Sequence, residues 1–537
     1  MNKSILTTSL VIMMTMFALP ASAQNPYLPL WEYIPDSEPY VFEDPDRPGK
    51  FRVYIYGSHD SLIKEYCGLE QVAWSAPVED LTNWRYEGII FKSVYDAKGN
   101  QLNPGGKGDL LYAPDIAERI ENGRKVYYFY PNNQAGGRQS MVAKANRPDG
   151  PFVVCNWDAN DTRKTVGPLN FDPGVLIDDD GRVYGYWGFE QSFCAELDPT
   201  TMATVKPGAK IIKDMVPNYK QDGVFRFFEA SSMRKIEDKY VFIYSRWTEE
   251  GEFGLPSTNY TLAYAYSDNP LGPFTYGGTI IDGRGRDTDD NGKVIPTATP
   301  GGNTHGSIAQ INGQWWVFYH RQTGTTEYSR QAMVAPIEVK VEKGKGGKVT
   351  ITEGEYTSEG FQTDGLNPEN KTAAGIACYY VGPKPATQEY PHFYHSGSYI
   401  QPTYPYLDFK SYEGPFNLKQ PFTPLVNNTD GSTVGYKYFN FSRMAGKKDA
   451  SIRFNLIPQG VHGTIIIMVG GPTRAKGGKV IGALDIKADA PKVLTEMVTS
   501  IDTKYFTSKK QPLFFIFSSD TKEKSICEIS DFQFISK

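Results

Sequence analysis

Cysteine and histidine are scarce in this sequence. Its five cysteines, Cys67, Cys155, Cys194, Cys378 and Cys527, are odd in number and include no pair at metal-ligand spacing. Its six histidines, His59, His305, His320, His392, His395 and His462, are scattered. Neither a disulfide framework nor a zinc site is indicated, and a chain of 537 residues has core enough without them. All five cysteines read as small packing residues. An excess of one charge is also missing. The 56 basic and 61 acidic side chains give a formal charge of −5, which argues against a nucleic-acid surface. Long helical patterns are nearly absent. Only one long apolar run exists, Ile5 to Pro20, preceded by Lys3 and followed by Ala21-Ser22-Ala23. It reads as a secretory signal peptide over residues 1–23, cut after Ala23. The expectation is an exported protein, periplasmic or extracellular, with no membrane segment once the signal is removed. No Cys follows the run, so a lipid anchor is not indicated.

What is abundant is aromatic and turn-forming: 35 Tyr, 30 Phe, 52 Gly and 37 Pro. Short aromatic and β-branched runs alternate with Gly, Asn and Asp turns, a pattern that predicts an all-β fold. An internal repeat is visible. Each unit opens on a polar residue and a short apolar run, turns, and continues into a Tyr-rich strand. The five openings are Glu38-Pro39-Tyr40, Asp115-Ile116, Asp172-Pro173-Gly174, Glu229-Ala230-Ser231 and His305-Gly306-Ser307. The strands that follow are VYIYGSHD, KVYYFYPNN, RVYGYWG, YVFIYSR and QWWVFYHRQ. The openings step by 77, 57, 57 and 76 residues.

Repeats of this length fit the four-stranded blades of a β-propeller, and five units give five blades over residues 24–345. The residue opening each unit then points to one mouth of the central channel. Glu38, Asp115, Asp172, Glu229 and His305 are thereby predicted to share one pocket. Beyond Ile337 the repeat fades into a charged, Gly-rich stretch, and residues 346–372 read as a linker or packing segment. From 373 to 537, runs such as SIRFNLI, GTIIIMVG, VIGALDI, PLFFIFSS and CEISDFQFI recur at the spacing of a separate β-sandwich.

Several carboxylates at one pocket, with no redox or phosphate motif, suit glycoside hydrolysis. One acid protonates the leaving oxygen, and a second carboxylate activates water or attacks. A third can hold the acid's pKa up. Glu229 follows Phe225, Phe227 and Phe228, and an apolar surround favours the neutral form a general acid requires.

These residues carry a resemblance. Residues 25–345 resemble glycoside hydrolase family 43, the five-bladed arabinofuranosidase and xylosidase family. The carriers are Asn25-Pro26, LYAPDIAE, FDPGVLIDDDGRVYGYWG, FFEASSMRKIEDKYVFIYS, GPFTYGGTII and GNTHGSIAQINGQWWVFYHRQ. The resemblance implies that Glu229 is the general acid and Asp115 the residue that tunes and orients it. It makes Asp172 a pocket hydrogen-bonder, and places a sugar-contacting Arg at Arg321. His305 matches a channel histidine that in many members helps hold a central hydrated calcium, so a structural calcium at His305 is an expectation. No other cofactor is implied. The family inverts configuration, so the base acts on water. Members carry Asp-Pro at the first blade where this chain has Glu38-Pro39. Glu38 is therefore the expected base and Asp36, two residues earlier, the alternative. The C-terminal 373–537 is similar to family 6 carbohydrate-binding modules.

The reading is an inverting exo-glycosidase acting on side chains of plant cell-wall polysaccharide. The expected sugar is α-L-arabinofuranose, with β-D-xylose next, and the protein is expected to be a monomer. A galactofuranosidase or endo-acting relative, and a non-hydrolytic glycan-binding protein on the same fold, are the alternatives. A retaining fructan hydrolase is disfavoured because its W-x-N-D-P and R-D-P segments are missing.

Overall fold

The structure is a computed structural model that describes residues 24–536 except 63, 103–107, 135 and 404–422. The signal-peptide segment lies outside the described residues. Four antiparallel four-stranded sheets and one three-stranded sheet follow one another along the first part of the chain. They begin with the innermost strands Glu38–Glu43, Asp115–Glu121, Gly174–Ile177, Phe227–Ile236 and Ser307–Ile311. These are blades one to five of a propeller.

The second strands, such as Arg124–Tyr130 and Gln314–Arg321, explain the aromatic richness of the sequence. They sit mid-sheet with a blade packed on each face, so both faces are buried and no polar alternation appears. The core is therefore divided among the gaps between blades. Tyr56 of blade one packs with Phe129 of blade two. Tyr130 of blade two joins Trp187 of blade three, and Tyr186 joins Phe242 of blade four. Ile243 meets Val317 of blade five, and Phe318 returns to Ile55 of blade one. That last cluster closes the ring. The closure is clasped by Asn25, whose side-chain amide donates to the carbonyls of Val334 (2.6 Å) and Thr357 (3.0 Å) and accepts from the Val334 N–H at 3.0 Å. Asn25 is fully buried, so each of these bonds is made away from competing water.

The C-terminal part folds as two facing sheets. A six-stranded sheet contains Ala450–Pro458 and Cys527–Ser536, and a five-stranded sheet contains Thr433–Phe439, Gly463–Val469 and Gln511–Ser518. Strict alternation of buried and partly exposed residues along Ala450–Pro458 marks a strand with one covered face. Phe439, Phe454, Phe515, Phe532 and Phe534 fill the space between the sheets. All five cysteines are free. Four are buried as expected, but Cys155 is exposed on the outer part of blade two.

The two parts are joined by buried polar contacts. Arg321, expected to touch sugar, lies here instead. Its guanidinium donates to the carbonyls of Ala377 (2.8 Å) and Gly375 (2.5 Å) and to Gln331 Oε1 (2.7 and 3.0 Å). It ends the second strand of blade five on the side facing the sandwich, and its donors are spent there. The backbone N–H of Tyr380 donates to the Thr297 carbonyl nearby, at 2.6 Å.

Candidate active site

The first strand of each blade begins at one end of the channel, and antiparallel pairing sets the end of the second strand beside it. Glu38 lies opposite Tyr56, and Asp115 opposite Tyr130. The residues at and just beyond the ends of the second strands, Ser58-His59-Asp60, Asn132 and His320, therefore join the residues that open the first strands. Two layers of charge result.

The mouth layer holds Asp36, Asp172 and Glu229. Asp36 is buried beneath Arg330, whose Nη1 lies 3.2 Å from Oδ1 and 3.4 Å from Oδ2. Ser58 donates to its Oδ2. Its backbone N–H donates to His320 Nδ1 at 3.3 Å, while His320 Nε2 bonds the Asn303 carbonyl at 2.9 Å. This fixes His320 as a neutral imidazole, and burial pushes its pKa down to about 3. Burial alone would raise the Asp36 pKa. Arg330, His305 and the Ser58 hydrogen bond outweigh it, and Asp36 is held below the usual carboxylate range. Arg330 is itself anchored by Asp60, at 2.8 and 2.9 Å, and its guanidinium lies 4.8 Å from the Tyr66 ring centre.

Glu229 behaves oppositely. Burial first and the Asp172 charge second push its pKa well above the normal value, against the opposing pull of His305 and Arg330. Asp36 adds to the upward shift, so the two carboxyls sense one another across the mouth. The strand Phe227–Ile236 is bulged on both sides of Glu229, and Ala230 has a φ of 71°. Glu229 keeps Ser245 as its cross-strand partner, and the bulges on either side re-aim its side chain toward the mouth. Asp172 pins it: Oδ2 accepts the Ala230 N–H at 3.2 Å, and Oδ1 accepts Asn132 Nδ2 at 2.9 Å. Asp36 and Asp172 also have positive φ, 59° and 42°. All three turns sit where backbone strain is commonly stored. Of the three Phe residues ahead of Glu229, Phe227 is core, and Phe228 lines the opening with Phe171, Phe189, Tyr219 and Trp247 in a chain of ring contacts 4.9–5.7 Å apart.

The inner layer holds Glu38 and Asp115, and both are committed to partners. Glu38 Oε2 accepts from Arg234 Nη2 at 2.5 Å. Arg234 lies over the Tyr40 ring at 4.5 Å, and the Tyr40 hydroxyl donates to Asp115 Oδ1 at 2.7 Å. Asp115 Oδ2 accepts the Val175 N–H at 2.6 Å. Its pKa rises to about 7 through burial and the Glu38 charge, against Arg234 and these hydrogen bonds. His305 links the layers, with Nδ1 3.6 Å from Asp172 Oδ2 and Nε2 4.0 Å from Glu38 Oε1. Burial works against its proton, but Asp172, Asp36 and Glu38 raise its pKa to about 9.

The five repeat openings thus converge on the channel as expected, but at two depths. Glu38, expected to hold water, is ion-paired with Arg234. Asp115, expected to tune Glu229, faces Glu38 and Tyr40, and Asp172 is the carboxylate that acts on Glu229. Sequence reasoning missed Arg330, Asp60, Asn132 and Arg234. Three of these have a signal: SHD and PNN end Tyr-rich strands just as YHRQ does, and Arg234 sits five residues beyond Glu229, inside the FFEASSMRK run.

The residues present do not match a calcium site. Among the described residues no group of three or more His, Cys, Asp and Glu is arranged for a metal. His305 Nε2 and Glu38 Oε1 lack hydrogen-bond partners there, but calcium takes six to eight oxygens, and Arg234 already balances Glu38.

A raised carboxyl and an ionised one at one polar mouth are the pair that glycoside hydrolysis uses. Comparison with known proteins gives the family. Residues 66–343 match the family described as Glycosyl hydrolases family 43. A xylosidase/arabinosidase of Thermoclostridium stercorarium is 34% identical over 433 residues, 78% of this chain and 82% of that protein. An arabinoxylan arabinofuranohydrolase of Paenibacillus polymyxa is 26% identical over 65% of this chain and 53% of that one. A solved family 43 arabinoxylan arabinofuranohydrolase from Bacillus subtilis aligns over 96% of this chain and 98% of its own, at 21% identity and a TM-score of 0.44. The chain belongs to glycoside hydrolase family 43.

Proposed function

We propose that this enzyme is an inverting exo-glycosidase releasing α-L-arabinofuranose or β-D-xylose from side chains of plant cell-wall polysaccharide, after export by its N-terminal signal. The names of the relatives above support the two sugars. The observation that carries the mechanism is the opposite treatment of two carboxyls at one mouth: Glu229 raised, Asp36 lowered.

In this reading Glu229 gives its proton to the glycosidic oxygen as the bond breaks. Asp36 takes a proton from a water on the far face of the sugar, and that water's oxygen bonds to the anomeric carbon. Asp172 keeps Glu229 protonated and aimed through its charge and its bond to the Ala230 N–H. Arg330 keeps Asp36 ionised, since a base with a raised pKa would be protonated when needed. Asn132 Oδ1, buried without a partner among the described residues, is placed to accept a sugar hydroxyl. The base role thus goes to Asp36 rather than Glu38, and the tuning role to Asp172 rather than Asp115.

The test is a panel of nitrophenyl furanosides and pyranosides, then arabinan and arabinoxylan, with the first-formed anomer read by NMR. Hydrolysis of an arabinofuranoside or xyloside with inverted product is expected. A retained product, or binding without turnover across the panel, would remove the reading. N-terminal sequencing of exported protein should begin at Gln24.

A further inference from the structure

A hairpin of the C-terminal part packs beside the catalytic mouth. Its strands are Thr387–Glu389 and His392–Tyr394, and its tip is Tyr390-Pro391. The hairpin leaves the sandwich after Tyr379–Val381, a strand of one sheet, and returns to it at Tyr399–Ile400, a strand of the other. It lies against the loop that follows the second strand of blade five. The Glu327 N–H donates to the Pro391 carbonyl at 3.0 Å, and the Phe393 N–H to the Thr325 carbonyl at 2.8 Å. Gln388 donates to Glu327 Oε1, and His395 Nε2 bonds the Gly324 carbonyl at 3.0 Å. Phe393 is buried beneath it. Arg321, a few residues before that loop, holds Gly375 and Ala377 of the C-terminal part, so the hairpin is fixed at both levels.

At the tip the pattern changes. Tyr390 is 70% exposed, the most exposed large hydrophobic side chain among the described residues. Its position is set by the neighbouring Pro391, whose carbonyl accepts the Glu327 N–H, and Glu327 is also the acceptor of the Tyr66 hydroxyl. Tyr66 stands edge-on to Tyr328 at 5.1 Å and covers Arg330, the partner of Asp36. A bare ring at the edge of a pocket whose floor is polar presents an apolar face to whatever enters. The C–H face of a pyranose is its natural complement, because aromatic rings attract polarised C–H groups as well as burying area.

We propose that Tyr390 is a substrate-binding residue of the active site: with Tyr66 it forms an aromatic wall for the sugar on the leaving side of the scissile bond. The C-terminal sandwich thereby completes the pocket that the propeller begins. This rests on the hydrolase reading above, and the experiment separates the two.

Full-length enzyme, Tyr390→Ala and Tyr390→Phe are compared on two substrates with the same reacting sugar. One is a xylo- or arabinoxylo-oligosaccharide, whose leaving group reaches the wall. The other is the methyl glycoside, whose leaving group does not. Tyr390→Ala is expected to lose about tenfold in kcat/KM on the oligosaccharide, chiefly through KM, and less than twofold on the methyl glycoside. Tyr390→Phe keeps the ring and should retain most of the oligosaccharide activity. Equal losses on both substrates, or none on either, would overturn the role of Tyr390 while leaving the hydrolase intact. If the unaltered enzyme cleaves neither substrate, the hydrolase reading falls and Tyr390's role falls with it. Tyr390 is exposed, so its substitution should not unfold the chain, and an unchanged melting temperature checks this.

Discussion

The two layers of the channel are built from the same residue types and do different things. At the mouth, the Asp36 carboxyl is held below its ordinary pKa by Arg330, and the Glu229 carboxyl is held well above by burial and the Asp172 charge. At the inner level, Glu38, two residues beyond Asp36, and Asp115 are closed into a chain with Arg234 and Tyr40. Carboxylates in a buried channel are not enough to make chemistry. What distinguishes the mouth is that Glu229 stands at a bulge near the ionised Asp36, whereas Glu38 Oε2 is tied to Arg234 and both Asp115 oxygens are tied, to Tyr40 and to the Val175 N–H. His305 touches both layers and ties the electrostatics of one to the other.

The sharpest way to break this comparison is to remove one acid from each layer. Glu229→Gln cannot donate a proton, and activity on an unactivated glycoside should fall by about 10³-fold or more while the fold is kept. Asp36→Asn should cost a similar factor. Asp36→Asn with near-normal turnover would return the base role to Glu38. Glu38→Ala should behave in the reverse way. It leaves the Arg234 guanidinium buried with no carboxylate, so the expected effect is about 3 kcal/mol of stability, read by urea unfolding, with a much smaller loss of kcat.

The pH dependence separates the layers again. On the proposed mechanism, turnover needs Asp36 ionised and Glu229 protonated. The acid limb of kcat/KM should therefore lie below the ordinary aspartate range and the alkaline limb above the ordinary glutamate range. Asp172→Asn removes the charge that raises Glu229, so the alkaline limb should move to lower pH, with the acid limb nearly fixed. The inner layer speaks through stability instead. Asp115 binds its proton more tightly folded, with a pKa of about 7 against an ordinary 3.8, than unfolded. Its contribution is complete below pH about 4 and is lost as pH rises through about 7. His305, raised to about 9, contributes below its ordinary 6.5 and loses that contribution as pH rises through 9. The unfolding midpoint of the wild type should thus fall between pH 4 and 7, and Asp115→Asn should flatten that interval.

The ring of blades was legible because it depends on periodicity: five openings at near-regular steps, each followed by a Tyr-rich strand, survive any uncertainty about side chains. The depth of each opening residue was not. Asp36 and Glu38 lie two apart, which in an extended strand puts them on one face at adjacent levels. Only the φ of 59° at Asp36, a tertiary outcome, lifts one to the mouth and leaves the other to Arg234. Arg321 misled for a related reason. A strand end next to a channel is also a strand end next to a neighbouring domain, and sequence does not say which side its guanidinium faces. Arg330 was invisible because it lies in a loop, outside any repeat.

The smallest effect probes what the mouth stores. Ala230 occupies the left-handed region at φ 71°, a conformation that costs an L-residue about 1–2 kcal/mol and glycine almost nothing. Ala230→Gly removes that strain but adds freedom to the unfolded chain, which offsets part of the gain, so the net stabilisation should be about 0.5 kcal/mol. If the bulge only accommodates a poor residue, kcat stays unchanged. If it aims Glu229, the added freedom lets the acid wander, and kcat should fall several-fold while stability rises, the trade-off expected of strain kept for function. The same exchange has no counterpart in the inner layer, where Ile116, next to Asp115, continues a regular ladder opposite Phe129. A variant more stable and slower would therefore place the cost of catalysis in the backbone of the mouth.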